Sequence, residues 1–330
     1  VRDGAQFGAQ RGVVQIGAVD GAKLAADLGR VVDGAGGDLF AGARLAMQQD
    51  GDGQGGDVQQ LPAAFLDRGR GADQPPAQIA VARHAAAHSS VLFSGTLTPP
   101  AFYRDLLGLP PEAGWVDVES PFHGQLAVHT VGHLSTRFAD RAQSLAPIAH
   151  LMAEQFARLP GNYLCFASSF DYLQRIAAQL QQAHPEVPQW QQTAGMDDAA
   201  RQAFLDRFQE GGQGIGFAVL GGAFSEGVDL PGHRLIGAFI ATLGLPQVNP
   251  VNEEMRRAMD RHFGAGKGYD YTYLFPGLRK VVQAAGRVIR TEQDQGVVFL
   301  IDDRYRRAAV RALLPGWWAL DRAPPHQPGG

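Results

Sequence analysis

The sequence predicts an α/β fold in which helices flank a mainly parallel sheet. From about residue 89 onward, short apolar runs alternate with segments of helical apolar spacing, which is typical of βαβ units. The hydrophobic fraction of 45% is sufficient for a sizeable core. With 330 residues, the chain is long enough for two domains or for one large one.

The composition divides the chain into unlike parts. About a fifth of residues 1–83 are glycine, roughly twice the fraction beyond, and every Tyr and Trp follows residue 84. Frequent glycine destabilises helices and strands because it costs backbone entropy. We therefore expect 1–83 to be a low-complexity extension, disordered or not native, 84–320 to be the folded domain, and 321–330 to be a disordered tail.

The predicted elements begin with Val91-Leu92-Phe93, a short apolar run expected to be a buried strand. A short helix with proline in its first turn is predicted from Pro99 to Leu107. Ser169 or Asp171 can cap a later helix, and Asp197 another. The remaining elements are, in order, strand 126–131, helix 137–158, strand 163–166, helices 169–180 and 197–208, strands 215–220 and 235–243, helices 249–263 and 278–289, strand 297–301 and helix 304–313.

Cysteine content and charge exclude several classes of protein. The single cysteine, Cys165, excludes a disulfide scaffold, a four-cysteine zinc site and an iron–sulfur cluster held by this chain alone. The net charge of -4 means that any nucleic-acid contact requires a local basic patch. No apolar run approaches the roughly 20 residues of a membrane helix, and the first residues do not resemble a secretory signal. We expect a cytoplasmic protein.

Four segments carry residues suited to a binding or catalytic site, three of them directly after predicted strands. In parallel sheets, such loops at the carboxyl ends of strands form the ligand site. The segments are Ser94-Gly95-Thr96-Leu97, Ser168-Ser169-Phe170, Gly221 to Asp229, and Gln283 to Arg290.

In this order, the four segments resemble motifs III, IV, V and VI of the C-terminal motor half of XPD/DinG-type superfamily 2 DNA helicases. Asp294-x-Gly296 and Asp302-x-Arg304 extend the resemblance, which covers residues 89 to about 314. The resemblance implies a RecA-like domain of the P-loop NTPase type, with ATP and Mg²⁺ bound together with an N-terminal half. It also implies 5′ to 3′ movement on single-stranded DNA.

The arginines of the last segment are the predicted catalytic residues. Arg287 and Arg290 are three positions apart, so we expect them on one face of a helix. The planar guanidinium binds phosphate oxygens bidentately, and an arginine from a facing domain stabilises the charge of the transferred γ-phosphate. Gln283, one turn earlier, and Gly286 are predicted to bind ATP. A solvated basic face is the alternative.

The other three segments receive roles from the same resemblance. Glu226, Gly227 and Asp229 are predicted to lie at the nucleotide, where a carboxylate can orient a ribose hydroxyl; a capped turn is the alternative. Ser94-Gly95-Thr96 is predicted to couple ATP to DNA. Ser168-Ser169-Phe170 is predicted to contact DNA phosphates through hydroxyls and a helix N-terminus; simple helix capping is the alternative.

The ATP-binding half of such a helicase is not evident in this sequence. Gly264 to Gly268 is a near miss to the phosphate-binding loop, because Arg261 stands at the first glycine position and Gly268 replaces the magnesium-binding hydroxyl residue. The cysteines of the family's iron–sulfur cluster belong to the missing half as well. We therefore predict that this chain alone neither hydrolyses ATP nor unwinds DNA.

Two other functions remain open at this point. The chain could be a non-catalytic nucleic-acid-binding module. It could also be a serine hydrolase, since Ser225 lies in a segment one residue away from Gly-x-Ser-x-Gly. The arginines of the last third fit a solvated face or a DNA-tracking groove. Trp317 and Trp318 fit core packing better than base stacking.

Overall fold

A computed structural model describes residues 11–16, 90–122, 124–224 and 230–321. The strands are β1 (Arg11–Ile16), β2 (Ser90–Ser94), β3 (Gly114–Val118), β4 (Leu126–Val131), β5 (Asn162–Ala167), β6 (Gln189–Gln191), β7 (Gly214–Val219), β8 (Gly237–Ala241), β9 (Gly296–Ile301) and β10 (Ala319–Leu320). The helices are α1 (Pro100–Leu107), α2 (Arg141–Arg158), α3 (Phe170–Ala183), α4 (Asp198–Leu205), α5 (Pro250–Phe263), α6 (Lys267–Tyr269), α7 (Phe275–Ala285) and α8 (Ala308–Arg311).

The chain divides into two compact units. The smaller unit contains most of a three-stranded sheet with the order β2-β1-β3. The run Val91-Leu92-Phe93 forms a strand as predicted. The predicted burial is wrong, because the side chains of Val91 and Phe93 are each 43% exposed. Burial alternates along β2, so Val91 and Phe93 lie on the same face of the strand, and that face is open to solvent.

The larger unit contains a seven-stranded sheet with the order β10-β4-β9-β8-β5-β7-β6, in which every neighbouring pair is parallel. This confirms the predicted α/β fold class. The interior strand β5 is buried along its whole length, as expected for a parallel strand covered on both faces.

Apolar side chains alternate along the strands and fill a separate core on each face. Leu164 and Phe166 point to the face covered by α7. Tyr163, Cys165 and Ala167 point to the opposite face, covered by α2 and α3. This period of two is the geometry of an extended strand. Because the strands are parallel, the carboxyl ends of β4, β9, β8, β5 and β7 lie at one edge of the sheet.

Helix boundaries largely follow the predicted capping residues. Ser169 accepts a hydrogen bond from the backbone N–H of Tyr172, and Asp197 accepts one from Ala200. Trp318 is 5% exposed within the core on the α7 face, which confirms core packing for this residue. In the described part of the chain, no helix is both long enough and apolar enough to cross a membrane.

Several predictions lie mainly outside the described residues. Of residues 1–83, the structure describes only the backbone of β1. At the other end, Asp321, the first residue of the predicted tail, accepts hydrogen bonds from the backbone N–H and the hydroxyl of Thr130. Residues 322–330 are outside the described ranges.

Candidate nucleotide and nucleic-acid site

Ser168 and Ser169 follow β5 at the carboxyl edge of the sheet. The Ser169 hydroxyl caps α3, so the alternative of helix capping holds for this serine. The Ser168 hydroxyl accepts a hydrogen bond of 2.8 Å from Nη2 of Arg141, at the start of α2. Ser168, Ser169 and Phe170 are each half-buried, so all three retain contact with solvent.

Arg141 is a residue of this edge that sequence reasoning missed. Its guanidinium carbon lies 4.9 Å from the centroid of the Tyr172 ring and 5.4 Å from that of Phe138. Its Nε lies 3.5 Å from the carbonyl oxygen of Thr136. The sequence signal was an arginine at the junction of a loop and a long helix, which is too common to single out.

Asp302 and Arg304 form a buried ion pair at the end of β9. The Asp302 side chain is fully buried, and Arg304 donates to it from Nε at 2.5 Å and from Nη2 at 2.8 Å. The Thr136 hydroxyl also donates to it. Burial by itself raises the pKa of Asp302, but the hydrogen bonds and charge of Arg304 outweigh burial and hold the pKa below its ordinary value. The hydrogen bonds between Thr136 and Asp302 join the loop after β4 to the end of β9.

The loop after β7 lies against α7, the helix that precedes the predicted arginines. A Cβ added to Gly221, whose φ is +82°, would lie 3.2 Å from Cδ and Nζ of Lys280 on α7. A Cβ added to Gly244, in the loop after β8, would lie 2.5 Å from the carbonyl oxygen of Gly277 near the start of α7. The predicted nucleotide residues Glu226, Gly227 and Asp229, and also Ser225, lie outside the described residues.

The predicted coupling segment Ser94-Gly95-Thr96 forms a turn after β2. The backbone N–H of Thr96 donates to the Ser94 hydroxyl at 3.2 Å, and Thr96 is buried. Within the larger unit, this turn and the face of α7 line a narrow cleft. Its lining residues are Thr96, Thr98, Pro99, Phe275, Leu278, Arg279, Val282 and Leu313.

The predicted catalytic arginines lie after a helix rather than on it. Helix α7 ends at Ala285, with Gly286 as its C-cap. The N–H groups of Arg287 and Val288 bond to carbonyls three residues back, which tightens the chain into a turn. The prediction that Arg287 and Arg290 share one helix face is therefore wrong. Arg287 is 6% exposed.

Asp294 fixes the chain in the loop that follows this turn. Its carboxylate accepts hydrogen bonds from the backbone N–H groups of Arg290 and Thr291, at 2.6 and 2.8 Å, and from the Thr291 hydroxyl at 2.8 Å. The side chain of Gln125, just before β4, donates to carbonyl oxygens of the same loop. The Arg290 backbone is thus held in a fixed turn. Gln283, the residue predicted to bind ATP from α7, is half-buried and lies one helical turn after Lys280.

The segment Gly264–Gly268, which nearly matches a phosphate-binding loop, binds a carboxylate of this chain. The backbone N–H groups of Gly266 and Gly268 donate to Oδ1 of Asp260, at 2.9 and 2.8 Å. A phosphate-binding loop would donate such N–H groups to a phosphate, whereas here they donate to a carboxylate of the same chain. A Cβ added to Gly268 would lie 2.6 Å from Cγ and Oδ2 of Asp260, which explains the glycine at this position.

Much of the basic charge of the last third is neutralised by carboxylates. On α5, Arg256 pairs with Glu253 and Asp260, and Arg257 and Arg261 both pair with Glu254. Arg311 pairs with Asp321. For these arginines, the structure favours a solvated ion-paired face over a continuous DNA-tracking groove.

A comparison with protein families shows to which family the chain belongs. The model of the helicase C-terminal domain matches residues 152–320, just over half of the chain. The chain belongs to this family. The match includes the predicted DNA-contacting, nucleotide and arginine segments, but not Ser94-Gly95-Thr96.

Curated relatives and solved structures agree with the assignment. The XPD helicase subunit of general transcription and DNA repair factor IIH from Arabidopsis thaliana is 26% identical over 69% of the chain and 32% of its own length. The ATP-dependent DNA helicase chl-1 of Caenorhabditis elegans is 28% identical over 55% of the chain and 22% of its own length. The chain thus spans about a third or less of these relatives.

The solved structure described as XPD_APO has the same fold. Its TM-score is 0.54 at 15% identity, and the likeness covers 66% of this chain and 45% of that one. Together with the relatives, this confirms the resemblance to the C-terminal half of an XPD-type superfamily 2 helicase and the RecA-like fold.

Proposed function

We propose that this chain is the C-terminal motor domain of an ATP-dependent DNA helicase, which brings Arg287 and Arg290 to ATP bound by an N-terminal half. The observation that carries the proposal is the Asp294-clamped turn that follows α7. A turn fixed by several hydrogen bonds holds an arginine in a defined position, as the stabilisation of transition-state charge requires. Gln283, Gly286, Glu226, Gly227 and Asp229 are the further nucleotide residues in this proposal.

ATP and Mg²⁺ are assigned mainly to the N-terminal half. Two observations support this division. The amides of the Gly264–Gly268 loop are bonded to Asp260, and the relatives are about three or more times longer than the part that this chain matches. Within the described ranges, no group of three or more acidic, histidine or cysteine side chains that could hold a metal ion is found. The chain alone is proposed to be inactive as an ATPase.

Single-stranded DNA is the proposed polymeric partner. Ser168, Ser169 and Phe170 lie at the N-terminus of the 14-residue helix α3, where backbone N–H groups and the helix dipole favour phosphate. The guanidinium of Arg141 adds positive charge at the same point. Ser94-Gly95-Thr96, packed beside α7, is proposed to couple the nucleotide to the DNA.

Arginine variants in a complete motor test the proposal. The chain is joined to the ATP-binding half of an XPD-type relative, and ATP turnover is measured with saturating single-stranded DNA. Arg287→Ala is expected to lower kcat about a thousandfold, the scale of a lost arginine finger. The matched control is Arg257→Ala on α5, an exposed ion-paired arginine that should leave kcat unchanged. Equal rates for both variants would contradict the assigned role.

A non-catalytic nucleic-acid-binding module is the second candidate. The hydroxyls at the N-terminus of α3 and the guanidinium of Arg141 beside them are compatible with binding without hydrolysis. Salt-dependent binding of single-stranded DNA by a fused motor that has no turnover would favour this candidate.

A further inference from the structure

Phe138 stands out on the surface of the described domain. It is 85% exposed, the largest exposed fraction among the large apolar side chains of the described residues. It lies in a 3₁₀ turn (Phe138–Asp140) directly before α2, and this turn has no buried residue. Core packing therefore does not account for a phenyl ring at this position, and its apolar surface is open to a ligand.

The surroundings of Phe138 are charged rather than apolar. Arg137 precedes it and binds Asp303 through two hydrogen bonds of 3.0 and 2.9 Å, and Asp140 accepts a hydrogen bond from Ser135. A protein interface of ordinary size has an apolar centre larger than one ring. A single flat ring among charges fits one planar partner instead.

Arg141 supplies a cation over the ring, which nevertheless stays 85% exposed. Its guanidinium carbon is 5.4 Å from the Phe138 centroid, and its hydrogen-bond acceptors are neutral oxygens of Thr136 and Ser168. In 90–122, 124–224 and 230–321, its Nη1 group donates to no acceptor. Among those residues, this charge is therefore balanced by no carboxylate in direct contact, which favours an anionic ligand.

We infer that Phe138 stacks on an unpaired base of a single strand whose adjacent phosphate contacts Arg141 and the N-terminus of α3. The combination of an aromatic ring, a guanidinium and phosphate-binding N–H groups is the usual composition of a single-strand site. The stacking surface lies outside the four motif segments, and it is a further contact for the polymer. The inference rests on the proposed function, since the strand must run along this edge.

Binding of fluorescein-labelled dT20 to the full chain tests the inference by anisotropy at low salt. Phe138→Ala is expected to weaken binding about tenfold, the scale of one lost stacking contact, whereas Phe138→Trp should bind as tightly as the unchanged chain. An abasic 20-mer keeps the phosphates without the bases, so Phe138→Ala should change its binding less than about twofold. Val248→Ala, at another strongly exposed apolar side chain, is the matched control.

The outcomes separate the inference from the function on which it rests. If the unchanged chain binds dT20 and Phe138→Ala binds it equally well, the inference is wrong and the proposed function stands. An equal loss on dT20 and on the abasic 20-mer also contradicts stacking. If the unchanged, folded chain binds no oligonucleotide at all, both the inference and the proposed DNA partner fail. Because Phe138 is exposed, circular dichroism and thermal unfolding should be the same for all variants.

Discussion

Removing the carboxylate of Asp302 is expected to destabilise the domain strongly. Asp302 accepts hydrogen bonds from Nε, Nη2 and the backbone N–H of Arg304, and from the hydroxyl and backbone N–H of Thr136. In Asp302→Ala, all five donors lose this acceptor, and the Arg304 side chain, only 13% exposed, keeps an unbalanced charge. Breaking a buried pair in this way costs about 3–5 kcal/mol of the free energy of unfolding.

The neighbouring residue provides the matched control. Asp303 also pairs with an arginine, Arg137, but both side chains are well exposed, at 36% and 41%. Exposed pairs contribute about 0–1 kcal/mol, so Asp303→Ala should change the free energy of unfolding by less than about 1 kcal/mol. Equilibrium urea unfolding of both variants measures the difference, with equal slopes for a valid comparison. Equal destabilisation by the two substitutions would refute the reasoning.

The ion pair of Asp302 and Arg304 predicts how the stability of the domain depends on pH. The pKa of Asp302 is lower in the folded protein than in the unfolded chain. The unfolded chain therefore takes up the proton first as pH falls, and the stabilisation is present above the unfolded pKa of about 3.9. It is lost as pH falls through the folded pKa. Asp302→Asn should consequently show a smaller loss of stability on acidification than the unchanged chain.

Two further predictions concern the arginine turn and the buried thiol. Asp294→Ala removes three hydrogen bonds from the turn that carries Arg290, so the complete motor should lose ATP turnover. Glu292→Ala, at an exposed side chain of the same loop, should leave turnover unchanged, and equal rates for the two variants would contradict a role for the clamp. Burial raises the pKa of the Cys165 thiol, so Ellman's reagent should react with it only on unfolding. Rapid labelling of the native chain would contradict its position in the core.

Local sequence patterns are sufficient for most of the larger unit. The predicted strand 126–131 has the bounds of β4, and the predicted caps Ser169 and Asp197 precede α3 and α4. These features depend on side chains within a few residues of each other, which is why they can be read from sequence. The resemblance to known motifs added the order of the site segments.

Features set by distant contacts could not be predicted. The apolar spacing from Leu278 to Ile289 continues the helical pattern, yet the helix ends at Ala285, and Asp294 binds the backbone of Arg290 in the loop beyond it. Strand β6 is a short segment with two glutamines that becomes a strand only by pairing with β7. In the same way, the position of Arg141 at Ser168 depends on the pairing of separate βα units.

ATP turnover by the chain with and without an ATP-binding half tests the central claim most directly. The purified chain is mixed with ATP, Mg²⁺ and single-stranded DNA, first alone and then joined to the N-terminal half of an XPD-type relative. The account predicts no turnover above background for the chain alone and DNA-stimulated turnover for the joined protein. Robust turnover by the chain alone, abolished by Arg287→Ala, would contradict it.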